Sequence, residues 1–175
     1  MRSRILFTIA LASLLLLTAL PATHADILTG AITHQPESVG VFTWGDGVNE
    51  LFQQWSVMNI NSAGWFYGLN YPWSNCDVYV YAGLSDPTVV TDASVFPYTS
   101  GSQYAYEGST VFFRGSTGYY GAWSILDIYP GEPGEPALAY LDGIWYFVTD
   151  QSADFSQGTV ATEQKTLSGV RSLFE

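Results

Sequence analysis

Carboxylates and aromatic rings are the chemical groups this chain has in quantity. It carries 16 Asp and Glu with 6 Trp, 12 Tyr and 10 Phe, against 5 Lys and Arg, 2 His and 1 Cys. Indole and phenol rings stack on the apolar faces of sugars, and neighbouring amides and carboxylates satisfy the hydroxyls, so a few rigid rings with convergent polar groups make a recognition site. The densest such group is Trp65, Tyr67, Tyr71 and Trp73, with Asn70 and Asn75 beside it. Trp65, Tyr67 and Tyr71 share a parity, so an extended chain sets them on one face. Pro72 breaks the strand and sends Trp73 into a loop. Tyr119, Tyr120 and Trp123 form a second group. The candidate ligand-binding residues are therefore Trp65, Tyr67, Asn70, Tyr71, Trp73, Tyr119 and Tyr120. Trp123 and Trp145, each inside an apolar run, read as core. One core of this size rarely needs 6 Trp, so some rings are expected outside it, where they would be sticky without a partner.

Catalysis is poorly supplied, and no catalytic residue is assigned. Paired acids could hydrolyse a glycosidic bond. Glu107, Asp127, Glu132, Glu135 and Asp142 stand near the best-defined strands, yet nothing in their spacing puts two at a working separation. Asp127 interrupts an apolar strand, so it belongs either to a solvated face or to a buried network. His34 is the one histidine beyond residue 25, in a segment unsuited to holding a triad rigid. Pairing it with Cys76 gives no zinc spacing. Cys76 reads as a buried small hydrophobe.

No cofactor is expected, though a structural calcium is possible. Asp46, Asn49 and Glu50 are a loose oxygen cluster without the twelve-residue calcium-loop spacing, and Asp86 with Asp92, or Asp142 with Asp150, could build a discontinuous site. There is no glycine-rich phosphate loop, dinucleotide fingerprint or basic patch. A formal net charge of −11 argues against nucleic acid as a partner.

Residues 1–25 read as a secretory signal peptide. Arg2 and Arg4 precede an apolar run over 5–20, Pro21 ends it, and Thr23 and Ala25 are the small residues of a cleavage site. A run this short falls below the roughly 20 residues of a membrane span. The expectation is an exported, extracytoplasmic protein with no stable membrane span once the signal is cut. Losing Arg2 and Arg4 makes the rest still more acidic.

The elements that must position the rings read as strands. Aromatic and β-branched runs over 39–44, 55–60, 65–71, 77–82, 110–114, 119–129 and 138–149, with weaker ones over 89–96 and 104–106, are separated by Gly, Asn, Asp, Ser and Pro clusters. Val48, Leu51, Phe52 and Trp55 fit helical spacing equally well. The strands over 119–129 and 138–149 are apolar on both faces, which calls for one face in the core and the other covered by a loop or partner. Residues 61–66 and 115–120 echo each other as glycine-bearing hairpins before two aromatics. The proline-rich stretch 129–136 should join neighbouring strands, and Leu167, Val170, Leu173 and Phe174 give 166–175 the pattern of a short docking helix or an edge strand. The reading is an all-β, antiparallel β-sandwich, jelly-roll-like or immunoglobulin-like, with a leader over 26–38, the sandwich over 39–150 and a tail over 151–175. Its expected work is non-catalytic recognition of an extracellular ligand, most of all a neutral glycan met by exposed aromatics. The alternatives are a structural or protein-interaction component of a cell surface or matrix, and a carboxylate-dependent glycan hydrolase.

Overall fold

The computed structural model describes residues 26–34, 40–58, 63–129, 140–156 and 160–162. The described residues form ten strands: β1 (Ile27–His34), β2 (Gly40–Gly45), β3 (Glu50–Met58), β4 (Ala63–Tyr67), β5 (Cys76–Tyr81), β6 (Ser102–Ala105), β7 (Thr110–Gly115), β8 (Tyr120–Tyr129), β9 (Tyr140–Val148) and β10 (Val160–Thr162). They form two sheets, one ordered β10-β1-β9-β8-β7-β5 and the other β2-β3-β4-β6. Every pairing is antiparallel except β1 with β10. The chain is an all-β, two-sheet antiparallel sandwich.

Alternation along the strands builds the core between the sheets. Trp44, Leu51, Trp55 and Phe66 face inward from the small sheet, and Phe113, Trp123, Ile125, Leu141 and Phe147 meet them from the large one. Trp123 is fully buried at the centre. Its ring lies 5.0–6.1 Å from those of Phe42, Trp44, Trp55, Phe66 and Phe113. Glycine is required opposite: a Cβ on Gly121 would sit 2.7 Å from Leu51 Cδ1 and 2.9 Å from Trp44 Nε1. That close approach lets the Trp44 indole donate to the Tyr146 carbonyl at 3.3 Å.

The outer face of the large sheet carries a second core, as the two-faced apolar strands demanded. Ile27, Phe112, Ala122, Tyr146 and Val148 are covered by Ala93, Phe96, Tyr98 and Phe155 from the segments after β5 and β9. The cover is not a strand over 89–96. It contains two single-turn 3₁₀ helices, Pro87–Val89 and Ala93–Val95. Asp86 and Asp92 each accept the backbone N–H two residues on, from Thr88 and Ser94, both at 2.9 Å. These local bonds outcompete a ladder.

Two further expectations are corrected, for residues 27–34 and 119–129, and two open readings are decided. Residues 48–55 are not helical: Leu51 and Trp55 lie in β3, held between β2 and β4, and tertiary pairing overrides the spacing. Residues 27–34 are no loose leader, because β1 pairs with β9 over its whole length. The strand over 119–129 does not keep one parity. A bulge at Leu126 leaves that side chain exposed, pairs Asp127 with Asp142, and returns Ile128 to the core beside Trp123 and Ile125. An unbroken strand would have pushed the Asp127 carboxylate inward, and the extra residue averts that. The hairpin echo is local only: Gly118 turns with φ +90°, whereas Gly64 lies inside β4. Strands β8 and β9, on either side of the proline-rich stretch, are neighbours. Residues 1–25, read as a signal peptide, Glu132, Glu135 and the pattern over 166–175 lie outside the described residues. Among the described residues no helix is long and apolar enough to cross a membrane.

Candidate aromatic surface and groove

The first aromatic group is brought together on the outer face of the small sheet. Inward residues of β4 feed the core, so Trp65 and Tyr67 turn away from it. Trp65 stacks on Tyr67 at 5.1 Å between ring centroids, with planes 19° apart. Its cross-strand partner Tyr104 on β6 also stacks on it, at 5.4 Å and 26°. Tyr71, from the turn after β4, meets Tyr67 edge-on at 4.8 Å. The four rings form one row, Tyr71–Tyr67–Trp65–Tyr104. Centroids more than 5 Å apart with nearly parallel planes mean an offset stack. Part of each face stays uncovered, most of all on Tyr104, which is 48% exposed.

Neutral polar groups accompany the row. Ser56, opposite Trp65, has its hydroxyl 3.4 Å from the Tyr67 hydroxyl. Gln54 lies opposite Tyr67, and at the base of the row Gln54 Oε1 and Trp65 Nε1 have no hydrogen-bond partner among the described residues. Neither β4 nor β6 contains a charged residue. Beneath the row, the fully buried Gln53 amide donates to the carbonyls of Gln54 at 2.6 Å and Tyr67 at 2.5 Å, which holds β3 against β4.

The remaining candidates divide. Asn70 is exposed in the turn after β4 and donates its backbone N–H to Ser100 O at 3.0 Å. Trp73, 61% exposed, projects from the same turn. Tyr119 and Tyr120 do not form a second surface. Tyr119 stacks on the buried Phe147 at 5.5 Å, and Tyr120 packs beside Tyr98 over the outer core. Tyr119 precedes β8 and Tyr120 opens it, and the two rings point to opposite faces of the large sheet. Tyr104, which completes the row, was not among the expected residues; only its cross-strand place opposite Trp65 reveals it.

The acids are spent on turns. Asp46 Oδ1 accepts the backbone N–H of Val48 at 2.8 Å and of Asn49 at 2.6 Å, and Oδ2 accepts the Asn49 amide at 3.0 Å. The Asn49 bonds, backbone first, hold the Asp46 carboxyl below the usual carboxylate range, against a small opposing effect of burial. Asp86, Asp92, Asp150 and Asp154 cap turns in the same way. Asp127 accepts the Tyr140 hydroxyl at 3.0 Å, which raises the Tyr140 phenol. Asp77 takes Arg114 at 2.8 Å and the Ser100 hydroxyl at 2.6 Å. No three His, Cys, Asp or Glu among the described residues gather where they could hold a metal ion. Cys76 is buried, and burial pushes its thiol far above the ordinary range, so it is inert.

A groove of about 720 Å³ opens at the opposite edge of the small sheet, between β2 and β1. Leu28, Gly30, Phe42, Trp44 and Trp145 line it, with Asp46 and Glu50 at the end where β2 turns into β3. The Trp145 indole lies across Gly30, where a Cβ would stand 2.6 Å from its Nε1. Comparison of the chain with protein-family models, with curated proteins and with solved structures found no match.

Proposed function

We propose that this protein is a secreted, non-catalytic binding module that takes a neutral extracellular glycan on the outer face of its small sheet. The observation that carries the reading is the row Tyr71–Tyr67–Trp65–Tyr104, aromatic along its length and bordered by serine, glutamine and asparagine. Offset rings offer partial faces to successive sugar units, and uncharged donors and acceptors suit hydroxyls better than ions. The placement outside the cell rests on the pattern of residues 1–25, and the mass of the exported chain tests it.

A protein ligand is the second reading. It is favoured by Val41, 45% exposed, which extends the same face beyond Gln54 with apolar area that a sugar would not use. The hydrolase alternative gains nothing. Asp127 and Asp142 pair across neighbouring strands, and Asp46 is already saturated by its turn.

A glycan array read by tryptophan fluorescence is the test. A binding oligosaccharide should lose about ten-fold in affinity, or 1.4 kcal/mol, in Tyr104→Ala and again in Tyr71→Ala. Thermal midpoints should barely move, because both rings lie outside the core. Flat responses across soluble and insoluble glycans overturn the glycan reading.

A further inference from the structure

We propose that Ser100, backed by the Asp77–Arg114 ion pair, is the positioning residue of the aromatic row: it fixes the turn that carries Tyr71. The inference rests on the reading of that row as a glycan surface. Three of its rings stand on paired strands, Trp65 and Tyr67 on β4 and Tyr104 on β6. Tyr71 does not. It comes from the turn after β4 and meets Tyr67 edge-on at 4.8 Å, at the end of the row. A ring on a turn is held only as firmly as the turn, and order that exists before binding need not be created on binding.

The turn hangs from Ser100 and Gly101. Gly68 N–H donates to Gly101 O at 2.8 Å, and Asn70 N–H donates to Ser100 O at 3.0 Å. The approach is close enough to demand glycine, since a Cβ on Gly68 would stand 2.5 Å from Gly101 O and 2.8 Å from Ser100 O. Tyr71 N–H then closes the turn onto Gly68 O at 3.0 Å. Where Ser100 and Gly101 sit therefore decides where Tyr71 sits.

Ser100 is in turn fixed from the other sheet. Its hydroxyl donates to Asp77 Oδ1 at 2.6 Å, and Asp77 Oδ2 accepts Arg114 Nη2 at 2.8 Å. Asp77 and Arg114 are cross-strand partners on β5 and β7, and the guanidinium lies over the Tyr98 ring, 4.9 Å from its centroid. Arg114 is the one Lys or Arg among the described residues, and it is placed behind this serine. Asp77 is buried and Arg114 partly so. Such a pair adds little net stability, because desolvation offsets attraction, but its charged hydrogen bonds orient what they hold. The hydroxyl is not needed to bring the segment alongside the large sheet: Thr99 already exchanges both backbone bonds with Val78, at 2.9 and 3.0 Å. What the hydroxyl adds is the aim of the Ser100 carbonyl at the Asn70 N–H.

Amide exchange and affinity, both read in the full chain, test the proposal. In Ser100→Ala the Asn70 and Tyr71 amides should exchange about ten-fold faster than in the native chain, while those of Val78 and Thr99 keep their protection. Ser100→Thr keeps a hydroxyl and should restore the slow exchange. Thr110→Val removes the buried hydroxyl bond to Leu84 O on the far side of the large sheet, and it controls for general destabilisation. It should leave the Asn70 and Tyr71 amides as they are. With cellohexaose, chitohexaose and maltohexaose as probes, Ser100→Ala should lose about five-fold in affinity for whichever binds, and adding it to Tyr71→Ala should cost nothing more. Unchanged exchange at Asn70 and Tyr71 would overturn the proposal. So would equal acceleration in Thr110→Val, failure of Ser100→Thr to restore protection, or affinity losses that simply add. A native chain that binds none of the three sugars sinks the glycan reading instead, and exchange at Asn70 and Tyr71 still decides whether Ser100 sets the turn.

Discussion

The two edges of the small sheet are closed in opposite ways. At the β6 side the sheets are sewn together. Val78 exchanges backbone hydrogen bonds with Thr99 at 2.9 and 3.0 Å, and Val80 N–H reaches Gln103 Oε1 at 2.8 Å. Below the end of β4, Ser74 and Asn75 replace the missing strand for β3: Asn75 Oδ1 takes Phe52 N–H at 2.8 Å and Ser74 Oγ takes Gln54 N–H at 2.9 Å. At the β2 side the described residues give a single stitch, the Trp44 indole on the Tyr146 carbonyl at 3.3 Å, and a groove remains beyond it. Backbone groups left unpaired in a dry seam are costly, so a seam is either stitched by side chains or left wet. The closed seam serves the fold and frees the face beside it for rings. The open seam keeps an aromatic floor within reach of solvent.

The largest expected effect breaks the closed seam. Asn75→Ala removes the acceptor of Phe52 N–H and the donor to Glu50 O, which receives Asn75 Nδ2 at 2.9 Å. Stability should fall by about 2–3 kcal/mol in urea unfolding, the cost of two orphaned backbone groups. A loss under about 0.5 kcal/mol would mean that water enters this seam as freely as the other, and the contrast would fail.

The open seam should tolerate more. Gly30→Val drives a side chain into the Trp145 indole, where even a Cβ would stand 2.6 Å from Nε1. Overpacking a closed core costs about 1–3 kcal/mol. Here the indole can swing into the groove, so an open seam should lose only about 1 kcal/mol, with a red-shifted tryptophan emission. A loss near the upper figure would mean that the indole has no room to swing and that this seam packs like a closed core. The size of the penalty therefore reports how open the seam is.

The strands over 110–114, 119–129 and 138–149 were legible because β-branched and aromatic runs bounded by turn residues mark them, and the cover that the outer faces of the last two demanded is present. Residues 27–34 were not: a strand of eight residues directly after an apolar export pattern reads as a leader, and only its pairing with β9 gives it a place. The 3₁₀ turns had a signal that went unused, since Asp86-Pro87-Thr88 and Asp92-Ala93-Ser94 each set an acceptor two residues before a free N–H. The bulge was foreshadowed by Asp127, a charge on the wrong parity. In the site, spacing by two found Trp65 and Tyr67. It could not find Tyr104, because nothing in one strand states which strand lies beside it. The groove was invisible for the same reason: it follows from unequal sheet widths, a property of pairing rather than of any segment.

The smallest effect sharpens the comparison through pH. Asp46 closes the β2–β3 turn at the end of the open seam, and its carboxyl titrates below the ordinary carboxylate value because the Asn49 N–H, the Asn49 amide and the Val48 N–H all bond the ionised form. A carboxyl with a depressed folded pKa stabilises the fold fully above the unfolded value of about 3.9 and loses that contribution as pH falls through the folded value. Asp46→Asn keeps the shape and removes the charge. The gap in thermal midpoint between native and variant should be constant from pH 8 to 5, then shrink below about pH 4. Asp46 is largely exposed, so the gap itself should be small and screened by salt. A gap that persists unchanged at pH 2 would mean that geometry alone holds the turn.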